Sequence, residues 1–532
     1  MHAPEPFDAG LMWFRRDLRC QDNAALFHAL RSCRRVYGVF VFDTELLDPL
    51  PRADRRVEFI HHSVRALDAE LRELATASLG SGTGAGPGMA AGAAGANGTG
   101  SAGAAPDPND SSAPGQPAHG LIVLHGPART LLPELAQALH VQAVFTNHDY
   151  EPAAIARDNQ VRGGLANAGI SLRTTKDHVV FERDEVLSPS GTPHAQFSSY
   201  CAQWLAQLTP FHLRAYEVEA HAAHLAPRPA AWRQPLPSLQ DLGFHATNLR
   251  QLALYPGSAG AQAQWQEFAA RMDHYHLTRD YPAVRGPSYL GVHLRFGTLG
   301  IREVARLAWE RYRQGDPGAT KWLVELVWRE FYIQLLAHFP HVVEHAFQKD
   351  MDRLPWDHGA HGRKLFAAWC AGQTGFPLVD AGMRQLHATG YMHNRLRMVA
   401  ASFLTRQLGV DWRWGERHFA EHLNDYELAS NNGNWQWAAG TGCDAQSWFR
   451  IFNPTAQSLQ YDAQGKFLRR YLPELARLPD EEIHAPERAS PIELEAAGIT
   501  LGVDYPAPIV DLGEARRAAL QRHAALRQER RR

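Results

Sequence analysis

The sequence predicts an α/β domain built on a parallel, Rossmann-like sheet, followed by an all-α domain. Three observations carry that expectation. Over residues 9–185, short β-type runs alternate with amphipathic helical stretches, the pattern of a parallel sheet covered by helices. From residue 259 to about 480 the strand signal nearly vanishes, and Trp, Leu and Phe recur at three- and four-residue spacings instead. At 532 residues, the chain is also longer than one ordinary core organises.

Taken in order, residues 11–14, 36–42, 121–124 and 143–146 are the clearest strands of the first domain, residues 1–185. The first strand is followed by neither G-x-G-x-x-G nor a P-loop, so an ordinary dinucleotide or triphosphate site at that turn is unsupported. Residues 78–118 are almost all Gly, Ala, Ser, Pro and Asn. Such a composition buries too little apolar surface to offset its ordering entropy, and it reads as a disordered, dispensable insertion. Residues 186–255, rich in Pro, Ala and His, read as a connector wrapping the surface. Residues 256–505 make the helical domain, and 506–532 a charged, Ala/Arg-rich helix or frayed tail.

Apolar residues make up 45% of the chain, as in a globular protein, and no apolar run approaches the ~18–20 residues that span a bilayer. A strand-like run at 11–14 leaves no room for a signal peptide, so a cytoplasmic location without membrane partners is expected. Five scattered cysteines (Cys20, Cys33, Cys201, Cys370, Cys443) with no C-x-x-C pair read as reduced structural thiols. A net charge of −2 leaves any nucleic-acid site to a local cluster of positive charge. The 14 tryptophans are more telling, because several lie in Asn- and Arg-rich segments, where aromatic rings serve stacking.

Three segments carry chemistry. In Glu325-Leu-Val-Trp-Arg-Glu-Phe-Tyr332, the residues Glu325, Trp328, Arg329 and Tyr332 recur at i, i+3, i+4 and i+7 and share one helical face. That mixture lines a polar pocket for a planar ligand; taken alone, it is read more readily as a solvated face with a Glu–Arg pair. In Tyr391-Met-His-Asn-Arg-Leu-Arg-Met398, Asn394, Arg397 and Met398 share a face while Arg395 turns to another. The set suits phosphates and base edges, or equally a basic surface helix. In Leu423-Asn-Asp-Tyr-Glu-Leu-Ala-Ser-Asn-Asn-Gly-Asn-Trp-Gln-Trp437, the Asn-Asn-Gly-Asn stretch is expected to stop a helix at a tight polar turn before two indoles.

With these motifs in order, the sequence resembles the DNA photolyase/cryptochrome family, and within it the class I cyclobutane pyrimidine dimer photolyases. Trp13-Phe-Arg-Arg-Asp-Leu-Arg19 with Asp22-Asn23, Asn147-His-Asp-Tyr-Glu-Pro152 with Arg157-Asp158, Thr374-Gly-Phe-Pro-Leu-Val-Asp-Ala-Gly-Met-Arg384 and Arg450-Ile-Phe-Asn-Pro454 extend the match over nearly the whole chain outside the insertion and tail. The resemblance implies an N-terminal antenna domain and a helical domain holding one non-covalent FAD in a cavity that receives the lesion.

It also assigns residues. Tyr275 and the run Pro287, Ser288, Tyr289, Leu290 and Gly291 fall at the flavin pyrophosphate, where the family carries Thr-Ser-x-Leu-Ser. Pro287 and Gly291 each remove hydrogen-bonding groups worth about 1 kcal/mol, which implies weaker FAD retention. Asp425, Tyr426 and Glu427 fall beside the isoalloxazine and ribose, with Arg397 pairing the aspartate. Asn431 faces flavin N5, where plant-type cryptochromes carry Asp. Glu325, also counted among the cofactor contacts, joins Trp328, Asn394, Met398 and Trp437 in the dimer pocket, and enzymes for (6-4) photoproducts carry His where Asn394 stands. Arg279, Trp328, Arg329, Asn394, Arg395 and Gln457 meet the DNA, from which photolyases flip the lesion. Trp435, Trp412 and Trp356 match the chain that passes electrons to the photoexcited flavin, although Trp412 by itself reads as a core indole.

In the folate-binding bacterial branch an Asn-Glu pair follows the Tyr-Glu motif, whereas here Pro152, Ala153 and Ala154 follow Tyr150-Glu151. A second antenna chromophore of folate, deazaflavin or flavin type, or none, is left open. The implied activity is light-driven repair of cyclobutane dimers in ultraviolet-damaged DNA, single- or double-stranded, by a monomer. The rivals are a cryptochrome-like light sensor and a flavoprotein that has lost FAD affinity; the intact Glu325, Trp328, Met398 and Trp437 set favours repair.

Overall fold

A computed structural model of the chain describes residues 7–80, 118–445, 447 and 449–529. The insertion expected at 78–118 lies outside the described residues except at its edges, where the helix that precedes it continues to Gly80. The first domain runs β1 (Phe7–Phe14), α1 (Ala24–Ser32), β2 (Cys33–Phe42), α2 (Arg55–Gly80), β3 (Leu121–His125), α3 (Ala128–Ala138), β4 (Ala143–Asn147), α4 (Pro152–Asn167) and β5 (Ser171–Thr175). Among the described residues these strands form one five-stranded parallel sheet in the order β3-β2-β1-β4-β5. From Ala9 to Phe14 every residue of β1 is buried, because helices cover both sheet faces. The strand order reverses beside β1, and ligands of such sheets bind outside the carboxyl ends of the strands at that point.

β5 was not anticipated from sequence. Apart from Leu172 its residues are polar, and all are at least partly exposed, as an edge strand paired only to β4 permits. Residues 186–255 hold α5 (Phe197–Gln207) and short 3-10 turns, and a parallel bridge from Val36 to Leu225 fastens them to the first domain.

The main helices of the second half are α6 (Gly257–Ala269), α7 (Ile301–Arg313), α8 (Pro317–His338), α9 (Ala360–Ala371), α10 (Pro377–Thr389), α11 (Asn394–Ser402), α12 (Trp412–His422), α13 (Leu428–Ala439), α14 (Pro454–Tyr461) and α15 (Leu512–Glu529). One apolar core surrounds α8 with Trp322, Phe331 and Leu336, and a second gathers Trp369, Leu386, Leu396, Phe419 and Trp435. The stretch expected as a tail is part of this domain: α15 turns Ala515, Ala519, His523 and Leu526 inward, and His523 meets buried Arg406 at 2.7 Å.

α8 starts cleanly because Asp316 caps it, accepting from the Ala319 N–H at 3.0 Å, and Pro317 fills the first turn. Midway along it, buried Glu330 accepts from the N–H groups of Val180 (2.6 Å) and Phe181 (3.0 Å) and from Trp204 Nε1 (2.6 Å), tying the helical domain to the end of the first domain and to α5. Burial outweighs these hydrogen bonds and pushes the carboxyl up to about 7.

The Asn-Asn-Gly-Asn stretch expected to be a turn lies inside α13, which ends instead at left-handed Gly440 (φ 75°). Tertiary partners explain the difference. Asn431 Nδ2 donates to Glu416, and Asn432 Nδ2 to the Val342 carbonyl at 2.9 Å, so the amides do not compete for the local backbone. A Cβ at Gly433 would come within 2.2 Å of the Tyr332 ring, so glycine is what lets α13 lie on α8.

Candidate active site

A narrow cleft opens between α11, α12 and α13, lined by Asn394, Arg397, Met398, Asp425, Tyr426, Glu427, Asn431, Trp435 and Trp437 among others. His393 caps α11 by accepting from the Arg395 N–H, and this orients the turn that carries Asn394, Arg397 and Met398. Arg397 Nη2 reaches both oxygens of Asp425 at 3.1 and 2.9 Å while its Nε donates to the Met392 carbonyl at 2.7 Å. Asn431 donates both amide hydrogens to Glu416, to its backbone oxygen (3.0 Å) and its Oε1 (2.9 Å), which leaves the Asn431 carbonyl as its remaining polar group. Burial pushes the Glu416 carboxyl up, and the Asn431 hydrogen bond partly offsets this.

The 287–291 segment approaches Asp425 from the other side. Arg271 donates to the carbonyls of Gly286 and Pro287, both at 2.7 Å, and Gln264 to that of Ser288 at 3.1 Å. Tyr289 has φ 58° and packs its ring 5.2 Å from Tyr391. A Cβ on Gly291 would stand 2.8 Å from Asp425 Oδ2, so the loss of the family's serine here accompanies a close backbone approach. Tyr275 is buried beneath the Arg279 guanidinium, 5.3 Å from its ring. A charge-paired guanidinium, an amide acceptor, Ser288 and two phenols in tilted contact fit a flavin-type ligand with a polar ring edge and a phosphate tail.

Residues expected at the lesion and the DNA are divided. Glu325 is paired with Arg279 and lies 3.6 Å from Lys321. Asp280, 3.8 Å from Arg279, also takes Arg395 at 2.9 Å, and Arg395 lies 4.4 Å from the Tyr461 ring on α14, the helix that carries half-buried Gln457. Trp328 stacks on Phe197 at 3.5 Å and 6°, so one indole face is covered by a residue of α5 that sequence reasoning missed.

Two of the expected residues are engaged at the domain junction. Arg329, expected at the DNA, is drawn inward to the His178 carbonyl (2.7 Å) and Glu427 (3.3 Å). Glu427, expected at the ribose, is the anion of a three-arginine cluster, accepting from Arg16, Arg295 and Arg329. Burial raises its carboxyl, but Arg16, Arg329 and Arg295 outweigh that and hold it down at about 2.

Of the expected tryptophan chain, Trp435 and Trp412 are buried and Trp356 is half-buried. Among the described residues the ring contacts of Trp435 run to Trp369 (6.0 Å) and Phe419 (5.0 Å) rather than to Trp412. From Trp369 they continue to Phe366 and then Trp414. The sequence signal for Trp369 was only its i, i+3 spacing from Phe366, which an ordinary core helix shares.

A second, larger cavity of about 510 Å³ lies at the carboxyl ends of β1, β2 and β4. Its apolar wall includes Trp13, Phe42, Ile60, Ala153 and Ala154, and Arg15, Arg16, Arg56, Arg157 and Arg295 stand around it. Arg15 and Arg157 lie 4.6 and 5.1 Å from the Trp13 ring.

A family model described as the FAD binding domain of DNA photolyase matches residues 322–525, and one described as DNA photolyase matches residues 10–77 and 116–224. Deoxyribodipyrimidine photo-lyases of Salmonella typhimurium and Escherichia coli are 35% and 34% identical to the chain, each over 97% of it and 98% of the relative. The fold is similar to a bacterial class III photolyase from Agrobacterium tumefaciens, with TM-score 0.82 and 30% identity over 99% of both chains. It is also similar to an archaeal photolyase from Sulfolobus tokodaii with two FAD molecules, with TM-score 0.71 and 28% identity over 97% of this chain and 100% of that one. With both halves matched in order along a sheet and a helical cleft of this geometry, the chain belongs to the DNA photolyase/cryptochrome family.

Proposed function

We propose that the protein is a deoxyribodipyrimidine photo-lyase that splits cyclobutane pyrimidine dimers in DNA under light, with FAD held in the cleft between α11, α12, α13 and the 287–291 segment. The observation that carries this reading is that Asn394, Met398 and Trp437 line the same cleft as Arg397, Asp425 and Asn431. When bound, reduced and photoexcited FAD supplies one electron to the dimer and receives it back, with no net redox change.

The chain's own residues supply orientation and electrostatics. Arg397 and Asp425 fix the polar edge of the ring. Asn431, with both hydrogens given to Glu416, offers the ring only an acceptor, which suits a ring nitrogen that carries hydrogen. Phe197 backs half-buried Trp328 and stiffens it as a stacking platform for a flipped base. Arg279 exchanges Glu325 for a DNA phosphate, and the carboxyl is then free for the thymine edge.

The 510 Å³ cavity suits a planar second chromophore of flavin, deazaflavin or folate type, its arginines meeting phosphate or carboxylate groups. The class I assignment rests on the sequence resemblance. The likeness to a class III photolyase means that the fold does not separate the two. We place the protein in the cytoplasm, as five free cysteines suit, and carry forward from the sequence resemblance a monomer acting on single- or double-stranded DNA. Among the described residues no helix is long and apolar enough to cross a membrane.

The test is light-dependent loss of cyclobutane dimers from ultraviolet-damaged single- and double-stranded DNA, with reduced wild type beside a Glu325→Ala, Trp328→Ala variant. Repair that falls sharply in the variant supports enzyme and pocket together. No repair by wild type that holds reduced FAD would overturn the reading in favour of a light sensor.

A further inference from the structure

On α12, His418-Phe-Ala-Glu-His422 places two imidazoles one turn apart, and His387 at the end of α10 meets them. Among the described residues these three form the one group of three His, Cys, Asp or Glu side chains whose ligand atoms all lie within 4.8 Å of one another. Nε2 of His387 and Nε2 of His418 are 3.2 Å apart, close to the roughly 3.3 Å that separates two nitrogens on a tetrahedral zinc ion with Zn–N of 2.0–2.1 Å. His422 Nδ1 bonds the His418 carbonyl at 2.8 Å, which fixes that ring and leaves its Nε2 as the ligand. All three rings are half-buried, so the group is held by packing yet open to an entering ion.

We propose that His387, His418 and His422 form a site for one divalent transition cation of the zinc class, clipping α10 to α12. Three imidazoles with no carboxylate among them suit Zn²⁺, Cu²⁺ or Ni²⁺ rather than a hard cation such as Mg²⁺ or Ca²⁺. An i, i+4 His pair on a helix is a spacing that places both rings on one ion. The nearby cation Arg55 does not occupy the site: its guanidinium is engaged by Asn248 Oδ1 (2.6 Å) and by the carbonyls of His387 (2.9 Å) and Ala388 (3.2 Å). The ring of His418 lies 5.6 Å from Trp369, and Trp369 lies 6.0 Å from Trp435, so an ion here sits beside the aromatic contacts that lead to the flavin cleft.

The test titrates the metal-stripped, full-length flavoprotein with Zn²⁺ by calorimetry, with Mg²⁺ as the control ion. The proposal expects one Zn²⁺ per chain, weakened by roughly tenfold or more in His387→Asn and in His422→Asn, and unchanged in His358→Asn, whose ring is outside the group. Because a variant can fail to fold, zinc-edge X-ray absorption on the wild type gives a second reading, with imidazole scattering and Zn–N near ~2.0–2.1 Å expected. Absence of stoichiometric Zn²⁺ binding, binding undiminished in both folded variants, or a shell of oxygen alone overturns the site.

Discussion

Two cavities of the molecule, the cleft in the helical domain and the one in the α/β domain, are built on different plans. The one in the α/β domain is roomy, walled by apolar side chains at the carboxyl ends of parallel strands, with arginines around it. The cleft in the helical domain is narrow, and polar groups in its mixed lining are already paired, Arg397 with Asp425 and Asn431 with Glu416 behind it. Topology alone supplies the first, because any doubly wound sheet leaves a crevice where its strand order reverses. The second exists only because helices distant in sequence bring their polar side chains into register. Tyr426 lines both, and the ion cluster of Arg16, Arg295, Glu151 and Glu427 stands between them, so the cavities share one wall.

Breaking that wall gives the largest expected effect. Glu427→Ala leaves three inward-facing guanidinium groups short of an anion, at a cost of about 3–5 kcal/mol, read as a lower urea midpoint with unchanged slope. A variant as stable as wild type would mean that the arginines find other partners.

Two carboxyls across the domain junction give opposite pH limbs. Glu427 is held below its ordinary 4.5, so the stability it contributes is present above 4.5 and is lost as pH falls toward about 2. Glu330 is raised above 4.5, so its contribution is full below 4.5 and is lost as pH rises through about 7. Urea midpoints measured against pH should show Glu427→Gln flattening the acid limb and Glu330→Gln flattening the decline between pH 4.5 and 7. Equal profiles in both variants would reject the assignment.

Within the cleft, Asp425→Ala removes the partner of Arg397 and should weaken FAD by about 2 kcal/mol, roughly 30-fold in a fluorescence titration. Gly291→Ser restores the family's serine yet sets a Cβ against Asp425, so we expect FAD affinity to fall by about 1 kcal/mol, roughly fivefold; a gain in affinity would show that the missing hydroxyl matters more than the contact. Ala154→Phe fills the other cavity and should leave FAD affinity and repair under saturating light unchanged, altering only the antenna's share of the action spectrum. Loss of FAD in this variant would show that the shared wall couples the two cavities.

Legibility from sequence followed the same division. Strands β1 to β4 were readable because their apolar runs are buried by the sheet itself. β5 was not, because Ser171–Thr175 is held by pairing to β4 and carries little apolar signal of its own. In the cleft, Arg397, Asp425 and Asn431 were legible through long motifs. Glu416, Trp369 and Phe197 were not, since each acts through a neighbour remote in sequence and looks by itself like an ordinary helix residue.

The sequence by itself determined the order of the two domains, the family motifs and the identity of the polar groups that meet in the cleft, because periodicity and motif spacing are local properties of the chain. Tertiary structure decided which groups pair. It turned Arg329 and Glu427 inward to the domain junction, and it carried α13 through Asn-Asn-Gly-Asn because Glu416, Val342 and Tyr332 satisfy or accommodate those residues. The physical reason is that a polar side chain goes to whichever buried partner leaves fewest groups unsatisfied, and that partner is chosen by packing between segments far apart in the chain.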